Sequence, residues 1–432
     1  MLADALNRTM LLMRTDLVAE TDNGELLAAL TATRIVLEAR EDALETHSGQ
    51  SAFITAALLM ARSGHEIWLD APERAMIGFQ PPLAGGDLVE SLLEVGLDLL
   101  PGRAFHHGRP AERADVTFVF GSGDPAEDRA DNRIAMNAGG GWAGSIDAQP
   151  TSWRGASWPM GGMATGALAA AEAFKLAMRR LRGRALAPDY FDLLYAPCAA
   201  VEVRLAAADT LESADLPNFD LISGGAIANA VLFVLHRLPA IKGTGRVLDD
   251  DRSALSNLNR NALLVRSALG ERKVDDLARF GGDLSVHPEP VRFEEGMPLA
   301  ETVLIGVDDI PSRWAAQRAG SPWLGVGATE SFNVLVSSHE PDQACVGCLH
   351  PMDGGLGGAI PTAAFVSFWS GLLLVSRWLR ELTAASPAHA DQQLFLNALR
   401  PESWAYGATP VGANAACPVG CRASTAARLL AA

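Results

Sequence analysis

A run of strand, turn, helix and strand occurs twice in this 432-residue chain, and the repetition fixes the class of fold before any single motif is considered. In the second half, FDLISGGAIANAVLFVLHRL (219–238) reads as a short apolar strand, a small-residue turn at Ser223 to Ala226 and an apolar helix. GRVLDDD (245–251) follows as a second strand ending in three carboxylates. In the first half, RIVLEA (34–39) is a strand, HSGQSAFITAALLMARSG (47–64) a turn and helix, and HEIWLDAP (65–72) a strand ending in Asp70. Both halves run on to a later apolar strand, 115–124 and 301–309, and to a late helix of small and apolar residues, 162–181 and 364–382. Strands alternating with helices predict an α/β fold, a mostly parallel sheet in each half with helices on both faces. The join falls within 183–218, where proline, charge and one more strand candidate mix.

Charge and composition narrow the partners. Lys and Arg number 35 against 51 Asp and Glu, a formal charge of −16, which repels phosphate backbones and anionic lipid, so no nucleic acid and no membrane is expected. The longest apolar run, about Thr362 to Val375, is shorter than the ~20 residues a bilayer span requires. The first residues carry charges within their apolar stretch and lack a signal-peptide cleavage pattern, so a cytoplasmic protein is expected.

The chemistry differs between the halves. A turn joining a first strand to a helix presents backbone N–H groups and the positive end of the helix to an anion, and Gly224 and Gly225 lie in such a turn. The same turn also serves tight packing of strand on helix. Asp249, some 25 residues on at the end of the next strand, stands where such folds bind ribose hydroxyls. Arg260, in DDDRSALSNLNRNALL (249–264), and Lys273, in GERK (270–273), then suit a polyphosphate, the first as a planar fork and the second as a point charge. VLIGVDD (303–309) brings Asp308 and Asp309 to a strand end, where a carboxylate holds Mg²⁺. The first half has Asp70 in the analogous place and no matching basic set along its sequence.

These residues resemble the adenylation domain of the ThiF, MoeB and ubiquitin-activating (E1-like) enzymes over about 215–432, with a degenerate copy over about 10–190. The resemblance implies two Rossmann-like adenylation domains, 1–205 inactive and 206–432 active, like a bacterial two-copy ubiquitin-activating enzyme. It implies Mg-ATP as cofactor and a ubiquitin-like β-grasp protein, adenylated on its C-terminal glycine, as partner, with an E2-like conjugating enzyme as a further one. Through it the turn at Gly224 and Gly225, the D-x-D pair Asp249 and Asp251, and Asn257, Arg260 and Lys273 would hold the nucleotide, and Asp308 the Mg²⁺. In the family an N-terminal arginine of one domain often reaches the nucleotide of the other; Arg8 and Arg14 are the candidates. This chain departs from the family in having fewer glycines in the turn and, in the D-x-x-D-N motif, Ile305 at the first position and Asp309 at the last.

Cys345 and Cys348 in CVGC and Cys417 and Cys421 in CPVGC form a two-plus-two set, which saturates a tetrahedral zinc and leaves no open position, so a structural Zn²⁺ is expected. The crossing segment LHPMDGGLGGAIPTAAF (349–365), where the family usually carries an acceptor thiol, has no cysteine. Cys198 is the one thiol left, and its apolar setting reads as a buried strand residue. Three acyl routes stay open: direct transfer to a partner's nucleophile, an oxyester on a hydroxyl such as Thr362, or use of one of the paired cysteines. The alternatives to ubiquitin-like activation are a sulfur-carrier adenylyltransferase, a non-catalytic carrier-binding scaffold and a nicotinamide dehydrogenase. His106 and His107 read as a loop pair, GSGDPAEDRADN (121–132) as a solvated loop, and 161–172 as a helix packing face.

Overall fold

The computed structural model describes residues 1–122, 130–139, 141–147, 149–154, 158–206, 213–353, 358–383, 392–402 and 407–431. Seven strands form a first sheet: β1 (Arg34–Ala39), β2 (Glu66–Asp70), β3 (Phe105–His107), β4 (Ala114–Phe120), β5 (Ala130–Gly139), β6 (Ala143–Asp147) and β7 (Val201–Arg204), in the order β3-β2-β1-β4-β5-β6-β7. Pairing is parallel from β3 through β5 and antiparallel at β6 and β7.

The second sheet repeats the plan. It comprises β8 (Ala214–Asp215), β9 (Phe219–Ile222), β10 (Ile241–Leu248), β11 (Leu284–Glu289), β12 (Thr302–Ile305), β13 (Trp323–Glu330), β14 (Asn333–His339), β15 (Gln393–Asn397) and β16 (Gly407–Thr409), ordered β11-β10-β9-β12-β13-β14-β15-β16 with β8 paired to β10. The strands from β11 to β13 are parallel and those beyond are antiparallel. The central strands β1, β4, β9 and β12 are buried over nearly their whole length, as expected of strands covered on both faces. The expectation of two parallel-rich sheets flanked by helices is met.

Each sheet carries a pair of long helices on one face. His47–Ala61 packs on Met160–Arg179 beside the first sheet, and Ala226–Leu235 packs on Ala364–Thr383 beside the second. The small-residue run at 161–172 serves that contact: a Cβ on Gly162 would lie 2.2 Å from the Ser48 carbonyl oxygen, so the helices meet at this distance only with glycine there. The two helical layers then meet each other, with Phe174 against Phe365 (ring centroids 5.4 Å apart) and Phe332 (5.7 Å), and one continuous apolar core runs from the first sheet to the second. A separate cluster under the helix Ile310–Arg318 fills the other face of the second sheet.

Local details correct the sequence expectations. His106 and His107 belong to β3, a parallel edge strand, and His106 stacks on Trp68 with centroids 4.7 Å apart. Cys198 is buried but lies in the loop before β7, not within a strand. Most of the acidic loop expected at 121–132 lies outside the described residues. Among the described residues no helix is long and apolar enough to cross a membrane.

Candidate functional site

Strands β10, β9 and β12 are parallel neighbours, so their C-terminal ends open on one edge of the second sheet. The connections leave in opposite directions on either side of β9, where an open sheet of this kind leaves a crevice. A cleft of about 600 Å³ lies there, lined by Ser223, Gly225, Asp249, Asp251, Asn257, Arg260, Lys273 and Asp308. Residues scattered over 86 positions of sequence therefore converge, Ser223, Gly225, Asp249, Asp251 and Asp308 just past strand ends and Asn257, Arg260 and Lys273 from the segment that follows β10.

The turn after β9 is tightly tied. Ser223 adopts φ 90°, a left-handed conformation that costs a non-glycine residue of order 1–3 kcal/mol. The Gly224 N–H donates to Asp249 Oδ2 at 2.7 Å, and the Asp251 N–H donates to Asp249 Oδ1 at 2.8 Å. Lys273 Nζ lies 2.5 Å from Asp251 Oδ2 and 3.5 Å from Asp249 Oδ1. A Cβ on Gly224 would come within 2.9 Å of the Lys273 Cβ, so glycine is what lets the lysine pass the turn. Asn257 lines the cleft, with its Oδ1 accepting the Ala254 N–H at 2.8 Å.

The opposite wall is cationic and under-satisfied. Arg260 donates to the Ser256 carbonyl; burial, reinforced by the Arg8 charge, pulls its guanidinium down to about 10 against the pull of Asp308. Arg8 reaches the cleft from the helix Asn7–Arg14, and its Nε and Nη1 are buried with no hydrogen-bond partner. The Asn261 Oδ1 in the same wall is likewise orphaned. Buried polar groups are normally paired, so these orphans point to a group that arrives from outside the chain. Asp308 is open to the cleft, yet the surrounding protein removes enough water to raise its carboxyl, opposed by Arg313, Arg260 and Arg8. Asp309 is engaged elsewhere: it caps the helix Ile310–Arg318, accepting the Ser312 N–H at 2.8 Å.

Arg14 and Cys198 fall outside the cleft, and Gly224 stands behind Asp249 without lining it. Arg14 donates to the Thr21 carbonyl at 2.5 Å and to Asn23 at 2.8 Å and does not line it. Cys198 borders a separate cavity of about 250 Å³ by the first sheet, 3.1 Å from Lys175 Nζ and 3.4 Å from Glu402, and burial together with Glu172 pushes its thiol up to about 12. Thr362, by contrast, lines the cleft; its hydroxyl is 3.1 Å from Ser367 Oγ and its N–H donates to the Arg8 carbonyl. Ile222, Leu248 and Phe293 form the apolar end, and nothing in the sequence marked Phe293.

At the equivalent place in the first sheet the charged side chains pair with one another. Arg40, Arg109 and Arg133 all pair with Glu38, which is 2% exposed, and Arg109 also holds Asp70 at 2.5 Å. A basic set therefore does exist in the first half, contrary to the sequence reading. It was hidden because the three arginines come from separate strands and loops, and Glu38 and Asp70 offset most of its charge.

Cys345, Cys348, Cys417 and Cys421 place their sulfurs within 4.8 Å of one another, with Cys345 and Cys417 3.3 Å apart and Cys348 and Cys421 3.5 Å apart. Four thiolates about 2.3 Å from a tetrahedral zinc would lie about 3.8 Å from each other, so the set fits that metal.

Residues 34–188 match the family model described as the BilD N-terminal domain. The y4jF protein of Sinorhizobium fredii (strain NBRC 101917 / NGR234) is 28% identical over 225 residues, 50% of this chain and 43% of that relative; the chain thus spans less than half of that relative's length. Among solved structures, Escherichia coli MccB crystallised with ATP is similar over 66% of this chain and 97% of its own, at 12% identity and a TM-score of 0.39. PaaA is similar over 42% of this chain and 60% of its own, at 14% identity and a TM-score of 0.33.

Proposed function

We propose that the cleft binds Mg-ATP and activates a carboxylate, namely the C-terminal glycine of a ubiquitin-like β-grasp protein, as an acyl adenylate for a conjugating enzyme or another acceptor. The observation that carries this reading is the pair of orphaned Arg8 nitrogens, Nε and Nη1, beside Arg260 in the wall of a crevice at the strand ends that Lys273 also lines. Arg8, Arg260 and Lys273, among the five basic side chains that line a volume of about 600 Å³ together with Asp249 and Asp308, suit a triphosphate and its metal.

Asp249 takes the ribose, with the Gly224 N–H fixing its carboxylate. Lys273, Arg260, Arg8 and Asn257 take the phosphates, Lys273 exchanging its pair with Asp251 for the nucleotide. Asp308 holds the Mg²⁺, which when bound neutralises phosphate charge. The peptide carboxylate oxygen attacks the α-phosphorus, the bond from that phosphorus to the bridging oxygen breaks, and pyrophosphate leaves with the electron pair. The arginines stabilise the charge that builds up on the phosphoryl oxygens. Direct transfer of the acyl group to a partner's nucleophile remains the route proposed; Thr362 is the hydroxyl in the cleft, and Cys198 is removed from it.

The test is exchange of labelled pyrophosphate into ATP, dependent on a carrier with a free C-terminal glycine. Exchange is expected, abolished by Asp308→Ala and reduced by Arg260→Ala. Absence of exchange overturns adenylation, and exchange surviving Asp308→Ala removes the metal role from that residue. Nucleotide binding without exchange is the scaffold reading, favoured by the engagement of Asp309 in a helix cap, which leaves Asp308 alone at the strand end.

A further inference from the structure

The wall that carries Arg260 is a coil of turns, with Leu255–Asn257 its one helical turn, and turns of this kind do not hold a side chain still by themselves. Their rigidity comes from the other half of the molecule. Arg62, fully buried just past the helix His47–Ala61, donates from Nη1 to the Leu258 carbonyl at 2.7 Å and from Nη2 to the Ala262 and Leu264 carbonyls, both at 2.8 Å. One guanidinium thus spans three carbonyls that bracket Arg260 and Asn261. Thr9, on the helix that supplies Arg8, adds a contact of its hydroxyl with the Asn259 side-chain amide at 2.8 Å.

The arrangement has a mirror. Arg237, equally buried and just past the helix Ala226–Leu235, donates to the Pro81 carbonyl at 2.6 Å in the loop after β2. That loop is the first sheet's equivalent of the segment after β10. Each half therefore grips the other's loop with the arginine just past one of its long helices, His47–Ala61 or Ala226–Leu235, but only one of the two loops borders the cleft.

We propose that Arg62 is a positioning residue for the nucleotide site, holding the 258–264 segment so that Arg260 and Asn261 face the phosphates. The inference rests on the nucleotide reading of the cleft and adds that the site is incomplete without the first half. A lysine keeps the charge but presents a single nitrogen, so it cannot span three carbonyls.

The experiment compares Arg62→Lys with Arg237→Lys in the full chain, reading the Kd for Mg-ATP, the KM and kcat of pyrophosphate exchange, hydrogen exchange of the 258–264 amides without nucleotide, and Tm. Arg62→Lys is expected to raise Kd and KM for ATP about tenfold or more and to speed amide exchange across 258–264. Arg237→Lys, which loosens the loop remote from the cleft, is expected to lower Tm comparably and leave Kd unchanged. Equal loss of affinity in both variants overturns the proposal, as does unchanged affinity in Arg62→Lys. Should Arg62→Lys fail to fold, Thr9→Val takes its place, with a few-fold rise in Kd expected and no change overturning the proposal. Wild-type protein that does not bind Mg-ATP overturns the nucleotide reading itself and this inference with it, a result distinct from binding that ignores Arg62.

Discussion

At the scale of single residues, the cleft depends on what a side chain's neighbours already occupy. Asp249 accepts two backbone N–H groups and so arrives pre-oriented, whereas Lys273 is held in reserve by Asp251. Gly224 is the residue most sensitive to a small change, because a methyl there meets Lys273 at 2.9 Å. Gly224→Ala is expected to weaken Mg-ATP binding by roughly tenfold, equivalent to about 1.4 kcal/mol, with little loss of Tm; titration with nucleotide checks this, and an unchanged Kd refutes it. Gly224, Asp249 and Asp308 were legible in the sequence because each stands within three positions of a strand end, and Asn257, Arg260 and Lys273 because they follow in the segment after β10. Arg8 could not be separated from Arg14 that way. The two lie six residues apart on one helix, only the first lines the crevice, and docking of that helix decides which. Arg62 and Arg237 were invisible for a stronger reason, since their partners are backbone carbonyls about 200 and 156 residues away, which no motif encodes.

At the scale of elements, hydrophobic patterning was enough where burial is complete. The strand 34–39 and the helices near 162–181 and 364–382 are found within two residues of their expected bounds, because a strand or helix buried against neighbours has one solution. The edge strand holding His106 and His107 was missed, since two exposed polar residues on three positions carry no period. The cysteine clasp is an element of another kind, a short helix Val346–Leu349 tied to the 417–421 turn across some 70 residues. His339 Nδ1 and Gln392 Nε2 both meet the Ala344 carbonyl, at 2.8 and 2.6 Å, which fixes the chain just before Cys345. Metal analysis of the purified protein is expected to give about one zinc per chain, and Cys417→Ser to lose it and lower Tm by on the order of 5 °C or more. A zinc-free protein of unchanged Tm refutes the clasp.

At the scale of the whole molecule, burial leaves a signature in pH. His47, His65, His236 and His339 are buried, and loss of water pulls each imidazole from 6.5 down to about 4. The unfolded chain takes up these protons below pH 6.5 while the folded one resists until about pH 4, so their contribution is whole above 6.5 and is lost as the pH falls toward 4. Asp276 works in the opposite sense: burial raises it from 3.8 to about 6, so it favours the folded state while protonated and loses that advantage as pH rises toward 6. The histidines outnumber it, and denaturant midpoints are expected to drop steadily from pH 6.5 to 4. A flat profile over that range refutes the assignment, and Asp276→Asn is expected to steepen it.

The apolar core that runs unbroken from one sheet to the other has a consequence for both halves. The first half ties Glu38 and Asp70 into its own ion pairs, and its long helices are at the same time the floor on which the second sheet's helices rest. Damage to that floor, far from the cleft, is therefore expected to be felt first as loss of the second half's solubility.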